Sequence, residues 1–139
     1  MIIGNGRLVT NDPDHPYFEN GAIRVVDELV DAVGDFEELK AKYPEDEVLD
    51  AQGRVIMPGM INAHTHIYSS YARGMGVSKP TRNFPEILEN LWWALDRSLT
   101  EEDNSLSAYT TYIDSIRNGV TTLFDHHASP HSATGSLFT

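Results

Sequence analysis

The stretch Val55–His66, VIMPGMINAHTH, decides how the rest of the chain is interpreted. Its apolar residues predict a buried strand that ends in two histidines, His64 and His66. Because successive side chains of a strand point to opposite faces, we expect the two imidazoles on one face, with Asn62 beside them. Imidazole nitrogen is a common ligand of zinc, and a strand holds two such ligands rigidly. The spacing therefore predicts half of a divalent-metal site; the alternative is a pair of exposed histidines at a strand end.

Two longer segments carry a resemblance to a known family. The first, VLDAQGRVIMPGMINAHTH (Val48–His66), is similar to the first barrel strand and H-x-H signature of the amidohydrolase superfamily. Within that superfamily the chain resembles the deaminase and chlorohydrolase branch. The segments INAHTHIYSSYARGM (61–75) and SIRNGVTTLFDHH (115–127) are most similar to aminohydrolases associated with selenium metabolism.

The resemblance implies an α/β protein in two parts. Residues 1–57 would form the N-terminal half of a composite β-sandwich domain. Residues 58–139 would begin a metal-dependent hydrolase barrel of the (β/α)8 TIM type. Such a barrel needs roughly 250 residues, so a chain of 139 residues has room only for its first two βα units. We therefore expect an N-terminal fragment, with an incomplete barrel whose other strands lie elsewhere.

Local signals in residues 1–57 predict a β-rich module. Asn-Gly between apolar runs is a strong hairpin signal, so we predict a hairpin at Asn5-Gly6 and a second one around Gln52-Gly53. Partner strands from beyond the barrel are implied by the resemblance, and an unpaired sheet edge is a predicted association site. The other predicted elements are strands over Ala22–Val26 and Leu29–Val33 around the turn Asp27-Glu28, a helix over Phe36–Tyr43, and strands over Val48–Asp50 and Arg54–Met57.

Two helices and a second barrel strand are predicted after the histidine pair. Phe84–Leu99 has an apolar stripe and carries Pro85 in its first turn, which favours a helix start. Thr100 followed by three acids is close to a capping box, and the second helix should end at Gly119. The β-branched residues of Val120–Asp125 then favour a strand.

Polar residues that follow the two barrel strands are candidate ligand contacts, because binding residues concentrate in such loops. Tyr71 and Arg73, in the loop after the histidine pair, are candidate substrate-binding residues, with ordinary packing as the alternative. Of the adjacent His126 and His127, at most one can face the pocket; both are candidates for substrate binding rather than metal ligation. Trp93, off the apolar stripe of its helix, should reach the mouth of the pocket or an oligomer surface.

The resemblance implies a metal-dependent amidohydrolase that hydrolyses a C–N bond, or a C–Cl bond, in a non-peptide and cyclic amidine-like substrate. The metal, with zinc favoured over iron, would be held by His64, His66 and later residues, and would lower the pKa of a bound water. No position here matches the family's later ligands or acid/base residues, so we assign no catalytic residue. Because a catalytic zinc site needs three protein ligands, we expect the 139 residues alone to bind metal weakly and to be inactive.

Composition excludes several other classes. A formal net charge of −11 argues against binding to a phosphate backbone, and the absence of cysteine excludes disulfides and thiolate ligands. The chain has no secretory signal pattern, and no apolar run approaches the ~20 residues of a membrane span. The expected protein is therefore cytoplasmic and acts on a small molecule, without nucleic-acid or membrane partners; a homodimer is an open alternative.

Two other functions also stay open. One is a non-catalytic amidohydrolase-like assembly protein, or a truncated gene product. The intact pair of histidines favours the enzyme, because a protein without metal chemistry does not need both imidazoles. The other is a binuclear, hydantoinase-like cyclic amidohydrolase, which would need a carboxylated lysine from a later strand.

Overall fold

The computed structural model describes residues 1–77, 79–128 and 130 of the chain. The chain divides into two units, Met1–Pro58 and Gly59–Thr139. The chain combines strands with helices, so the predicted mixed α/β class is confirmed. In the described part of the chain, no helix is both long and apolar enough to cross a membrane.

The first unit is built on its first strand. The order of the strands in its sheet is β3 (Leu29–Asp35), β2 (Tyr17–Val26), β1 (Ile2–Val9) and β4 (Val48–Asp50). The short β5 (Val55–Ile56) also pairs with β1. β1, β2 and β3 are antiparallel neighbours, whereas β4 and β5 both run parallel to β1 at different points along it. The elements are β1 (Ile2–Val9), β2 (Tyr17–Val26), β3 (Leu29–Asp35), α1 (Phe36–Lys42), β4 (Val48–Asp50) and β5 (Val55–Ile56).

Both hairpins predicted from glycine-containing pairs are wrong. Asn5-Gly6 lies inside the continuous strand β1, where Asn5 has a φ of 57° and the register with β2 shifts. The pair therefore forms a bulge rather than a turn. Gln52-Gly53 does turn, with φ of 54° and 74°, but β4 and β5 pair with β1 and not with each other. The tight turn at Asp27-Glu28 is confirmed, because both residues have positive φ, as a two-residue hairpin turn requires.

The core of the first unit lies between the sheet and α1. The Asp35 carboxylate caps α1 by accepting hydrogen bonds from the N–H groups of Glu37 and Glu38. The helix then packs two apolar side chains on the sheet. The buried cluster consists of Ile2, Ala22, Phe36 and Leu39.

In the described part of the second unit, β6 (Met60–Thr65) pairs in parallel with β7 (Val120–Asp125), and α4 (Glu101–Arg117) leads into β7. The single buried strand predicted over Val55–His66 is wrong: β5 and β6 belong to different sheets, and every residue of β6 is exposed or half-buried. Pro58-Gly59 separates the two strands. The elements are β6 (Met60–Thr65), a 3-10 segment (Ile67–Ala72), α2 (Phe84–Ile87), a π-helical turn (Leu88–Trp92), α3 (Trp93–Ser98), α4 (Glu101–Arg117) and β7 (Val120–Asp125).

The predicted start and end of α4 are both confirmed. Thr100 caps the helix, and its hydroxyl accepts a hydrogen bond from the Asp103 N–H at 3.2 Å. The Asp103 carboxylate in turn accepts from the Thr100 N–H at 2.8 Å, which completes a capping box. Gly119 follows the helix with a φ of +70°, a conformation that favours glycine. On its inner side α4 holds the 3-10 segment through a hydrogen bond between Thr111 and Ser70.

We predict that Gly4→Ala destabilises the first unit by about 1–3 kcal/mol, because the new methyl group would overlap the Phe36 ring and lie 2.6 Å from the Ala22 Cβ. Gly34→Ala is the matched control, since its Cβ would meet the Leu39 Cγ at an ordinary 4.0 Å. The control should change stability by less than about 1 kcal/mol. Urea unfolding followed by far-UV circular dichroism measures both; equal effects would contradict the assigned packing.

A second prediction concerns the acid stability of α4. Hydrogen bonds from the Thr100 N–H and hydroxyl hold the pKa of Asp103 below its ordinary value. The folded state therefore gains stability above the unfolded pKa of about 3.9, and loses it as the pH falls through the lower folded pKa. Asp103→Asn should flatten the dependence of the thermal midpoint between about pH 2 and 5. Glu102→Gln, which leaves the capping box intact, should retain that dependence.

Candidate metal centre

His64 and His66 lie side by side at the end of β6. Their Nε2 atoms are 3.2 Å apart, and the ring planes meet at 69°. Two nitrogen ligands at 2.0–2.1 Å on a tetrahedral metal are about 3.3–3.4 Å apart, so the pair has the separation that a shared metal requires. No group of three or more His, Asp or Glu arranged to hold a metal occurs among the described residues. The pair thus brings two nitrogen donors together, and its role as half of a divalent-metal site stays a prediction.

The backbone at the end of β7 fixes the orientation of His66. The His66 Nδ1 lies 2.7 Å from the carbonyl oxygen of His126. A carbonyl only accepts hydrogen bonds, so Nδ1 carries the proton and donates it. The lone pair of a neutral His66 is then on Nε2, the atom beside His64, and a histidine ligand of a metal is commonly oriented in this way.

The two histidines after β7 point into different surroundings. The ring of His126 lies 4.5 Å from the ring of His64 and 5.8 Å from that of His66. His127 turns away: its Nδ1 is 3.1 Å from the Asp125 Oδ2, and its ring packs 5.2 Å from Tyr68. Only one of the adjacent pair therefore reaches the candidate metal centre, although a role for either in substrate binding stays a prediction.

Tyr71 and Arg73 lie along a different surface of the second unit. They line a cavity of about 500 Å³ together with Thr65 and residues of α4, and the Tyr71 hydroxyl is 2.9 Å from the Thr110 Oγ1. Thr65 points away from the two histidines that flank it, so this cavity is on the opposite face of β6. The structure does not bring Tyr71 and Arg73 to the histidine pair, and their substrate-binding role also stays a prediction.

Asn62 differs from the expectation that it shares the face of the histidines. It lines the same cavity as Thr65, because the register of β6 and β7 shifts between these two residues. Its side-chain oxygen accepts a hydrogen bond from the His64 N–H at 3.2 Å. Strict alternation from Asn62 to His64 is therefore lost.

Trp92 was not predicted from the sequence as part of the site. Its ring centroid is 5.7 Å from that of His66. Trp93, which was expected at the mouth of the pocket or at an oligomer surface, is 45% exposed. The π-helical turn over Leu88–Trp92 changes the rotation of the helix at this point. A pattern of i, i+3 and i+4 apolar residues does not locate such a turn, so it did not indicate that Trp92 lies beside His66.

Tyr68 is the most buried polar side chain near the histidines, with 3% of its surface exposed. Burial, and then its hydrogen bond to Asp96, raise the pKa of Tyr68, so the hydroxyl stays protonated at neutral pH and donates to that carboxylate. The other surroundings are polar but incompletely paired. The Asp96 Oδ1 and the His127 Nε2 are buried without a hydrogen-bond partner in the described part of the chain.

Comparison with known proteins identifies the family. The sequence model of the amidohydrolase family matches residues 55–138, more than half of the chain, and the chain belongs to that family. It is 32% identical over 131 residues to a 5-methylthioadenosine/S-adenosylhomocysteine deaminase of Syntrophobacter fumaroxidans, covering 94% of this chain and 29% of the relative. It is also 32% identical over 125 residues to a 5′-deoxyadenosine deaminase of Methanosarcina mazei, covering 90% and 27%. The chain thus spans less than a third of the length of these relatives.

Solved structures share the fold. The zinc complex of atrazine chlorohydrolase from Arthrobacter aurescens TC1 matches with a TM-score of 0.74 and 22% identity, covering 91% of this chain and 28% of that one. Guanine deaminase from C. acetobutylicum, with bound guanine, matches with a TM-score of 0.67 and 23% identity, covering 88% and 28%. The predicted family is therefore confirmed, whereas the finer resemblance to selenium-associated aminohydrolases stays a prediction.

We predict that Tyr68→Phe destabilises the second unit by about 1–3 kcal/mol, because it removes the donor to Asp96 and leaves a half-buried carboxylate without that partner. Tyr109→Phe is the matched control: Tyr109 is 65% exposed, so the loss of its hydroxyl should change stability by less than about 0.5 kcal/mol. Urea unfolding followed by tryptophan fluorescence reports on this unit. A Tyr68→Phe variant as stable as the control would show that the buried hydrogen bond contributes nothing.

Proposed function

We propose that the chain is the N-terminal part of a metal-dependent aminohydrolase. The proposed reaction is hydrolysis of a C–N bond, or of a C–Cl bond, in a cyclic and amidine-like small molecule. The single observation that carries the proposal is the 3.2 Å separation of the two histidine Nε2 atoms in a chain of the amidohydrolase family. Two relatives are named as deaminases of adenosine derivatives, and one structural neighbour is named as a chlorohydrolase. These names support the same chemistry.

His64 and His66 would hold the metal through their Nε2 atoms. Zinc is favoured, because imidazole ligands suit it and a structural neighbour was crystallised with it; iron is the alternative. When bound, such a metal supplies a water whose pKa is lowered toward neutrality, and hence a nucleophile. The hydrogen bond from the His66 Nδ1–H to the His126 carbonyl would keep the lone pair of His66 aimed at the metal.

His126 would border the substrate. Its ring is the group nearest to that of His64 among the ring contacts of this site, and it comes from the end of the neighbouring strand. Trp92 adds a flat apolar surface on the side of His66. A ring substrate would fit between such surfaces, because aromatic side chains stack on planar groups.

In the proposed architecture, residues 1–57 are half of a β-sandwich and residues 58–139 contain the first two βα units of a TIM-type barrel. The β6–α4–β7 order with parallel strands supports the barrel part. The exposed apolar side chains of the first unit support the sandwich part, since they would be covered by further strands. These side chains include Leu29, Val30, Leu49, Val55 and Met57.

The metal assignment can be tested with the internal fluorophores. The chain has two tryptophans, so Trp93→Phe leaves Trp92, next to His66, as the only one. We predict that Co²⁺ quenches its emission in a saturable way, and that adding His64→Ala or His66→Ala weakens the apparent affinity by at least about tenfold. His15→Ala, which removes an exposed histidine from the first unit, should leave the titration unchanged.

Unchanged affinity in both His64→Ala and His66→Ala variants would refute the metal assignment. The reaction itself should be tested on the protein made from the whole reading frame that contains these 139 residues. Release of ammonia from 5′-deoxyadenosine or 5′-methylthioadenosine, or of chloride from a chlorotriazine, would support the proposal if His64→Ala abolishes it. Metal binding without any such turnover would instead favour the assembly protein.

A further inference from the structure

The ends of β6 and β7 are fastened by three hydrogen bonds that alternate between the two strands. The His126 N–H donates to the Thr65 carbonyl at 2.8 Å. The His66 Nδ1–H donates to the His126 carbonyl at 2.7 Å. The Ile67 N–H donates to the Asp125 Oδ1 at 2.8 Å. In this group, only the last bond depends on a side chain of β7.

Both oxygens of the Asp125 carboxylate are used. While Oδ1 accepts from Ile67, Oδ2 accepts from the Nδ1 of His127 at 3.1 Å. The side chains of Asp125 and His127 are 24% and 20% exposed. A carboxylate held at both oxygens has a fixed orientation, and it transmits that orientation to the groups it binds.

The hydrogen bond from the Ile67 N–H to Asp125 affects the backbone next to His66, because Ile67 is the following residue. Ile67 is buried and directly follows His66, and it begins the 3-10 segment where the regular ladder between the strands has ended. At this point the Asp125 carboxylate, rather than a backbone carbonyl of the neighbouring strand, accepts the hydrogen bond from the Ile67 N–H. The peptide plane after His66 is thereby fixed, and with it the direction in which the imidazole leaves the backbone.

We propose that Asp125 is a positioning residue for the candidate metal centre. Its carboxylate holds Ile67 and His127 so that the His66 Nδ1–H stays on the His126 carbonyl and the His66 Nε2 stays beside that of His64. The consequence for a metal rests on the proposed function. The positioning itself concerns hydrogen bonds within the chain, so the two can fail separately.

The test compares Asp125→Ala and Asp125→Asn with Asp114→Asn, which removes the same charge from the exposed surface of α4. Nitrogen-15 NMR of the imidazoles at about pH 8, above the ordinary histidine pKa of about 6.5, reports the tautomer of each histidine. We expect His66 in the wild type to be protonated on Nδ1, and in Asp125→Ala to shift toward the Nε2 tautomer. Hydrogen exchange at the Ile67 N–H should be at least about tenfold faster in Asp125→Ala.

The conservative variant Asp125→Asn distinguishes a positioning role from a general loss of stability. Asp125→Asn keeps an oxygen that can accept from the Ile67 N–H, so it should restore most of the slow exchange and of the Nδ1 tautomer, while Asp114→Asn should behave as the wild type. In the metal arm, Zn²⁺ affinity should fall by about 10–100-fold in Asp125→Ala and not in Asp114→Asn.

An unchanged His66 tautomer and unchanged Ile67 exchange in a folded Asp125→Ala variant would overturn the proposal. If circular dichroism shows that Asp125→Ala does not fold, the measurements on the wild type and on Asp125→Asn still test the proposal. An Ile67 N–H that exchanges rapidly in the wild type would also overturn it. A tautomer shift with unchanged Zn²⁺ affinity would overturn the role at the metal. If the wild type binds no Zn²⁺ while the tautomer shifts as expected, the proposed function fails and the positioning role stands.

Discussion

The parallel pairing of β6 with β7 is the constraint on which the candidate site depends. Two parallel strands cannot be joined by a tight turn, so the chain must cross back between their opposite ends. Here α4 makes that crossing, with a capping box at its start and Gly119 at its end. The carboxyl ends of both strands consequently meet, and His126 comes to lie against the pair formed by His64 and His66. A change in the pairing would separate groups that are 60 residues apart in the sequence.

Fixing the two histidines requires more than placing them on a strand. A strand sets the spacing of their Cα atoms, but it leaves each imidazole free to rotate and to carry its proton on either nitrogen. The carbonyl of His126 removes that freedom for His66, and the carboxylate of Asp125 secures the backbone that follows. Both contacts are made within the chain, and they orient the histidine whose Nε2 lies 3.2 Å from that of His64.

Local signals predicted the features that depend on neighbouring residues. The capping box at Thr100, the positive-φ turn at Asp27-Glu28 and the alternation that brings His64 next to His66 were all predicted, because each is decided within a few residues. The bulge at Asn5 was missed, since a residue with positive φ serves a bulge as well as a hairpin turn. Two other features join distant parts of the chain: the pairing of β4 and β5 with β1, and the hydrogen bond from the Ile67 N–H to Asp125. The periodicity of a sequence does not show which distant segments come together.

In the proposed site, His64 and His66 would form one half of a metal centre. A catalytic zinc takes three protein ligands and a water, and the group formed by His64 and His66 supplies two ligands. The chain covers only 29% and 27% of the length of the two deaminases to which it is similar. Ligands that are already oriented lose less freedom when a metal binds, so the hydrogen bonds at the ends of β6 and β7 would favour binding. In the proposed enzyme, these hydrogen bonds would thus orient His64 and His66, and the further ligands of the metal would raise the affinity.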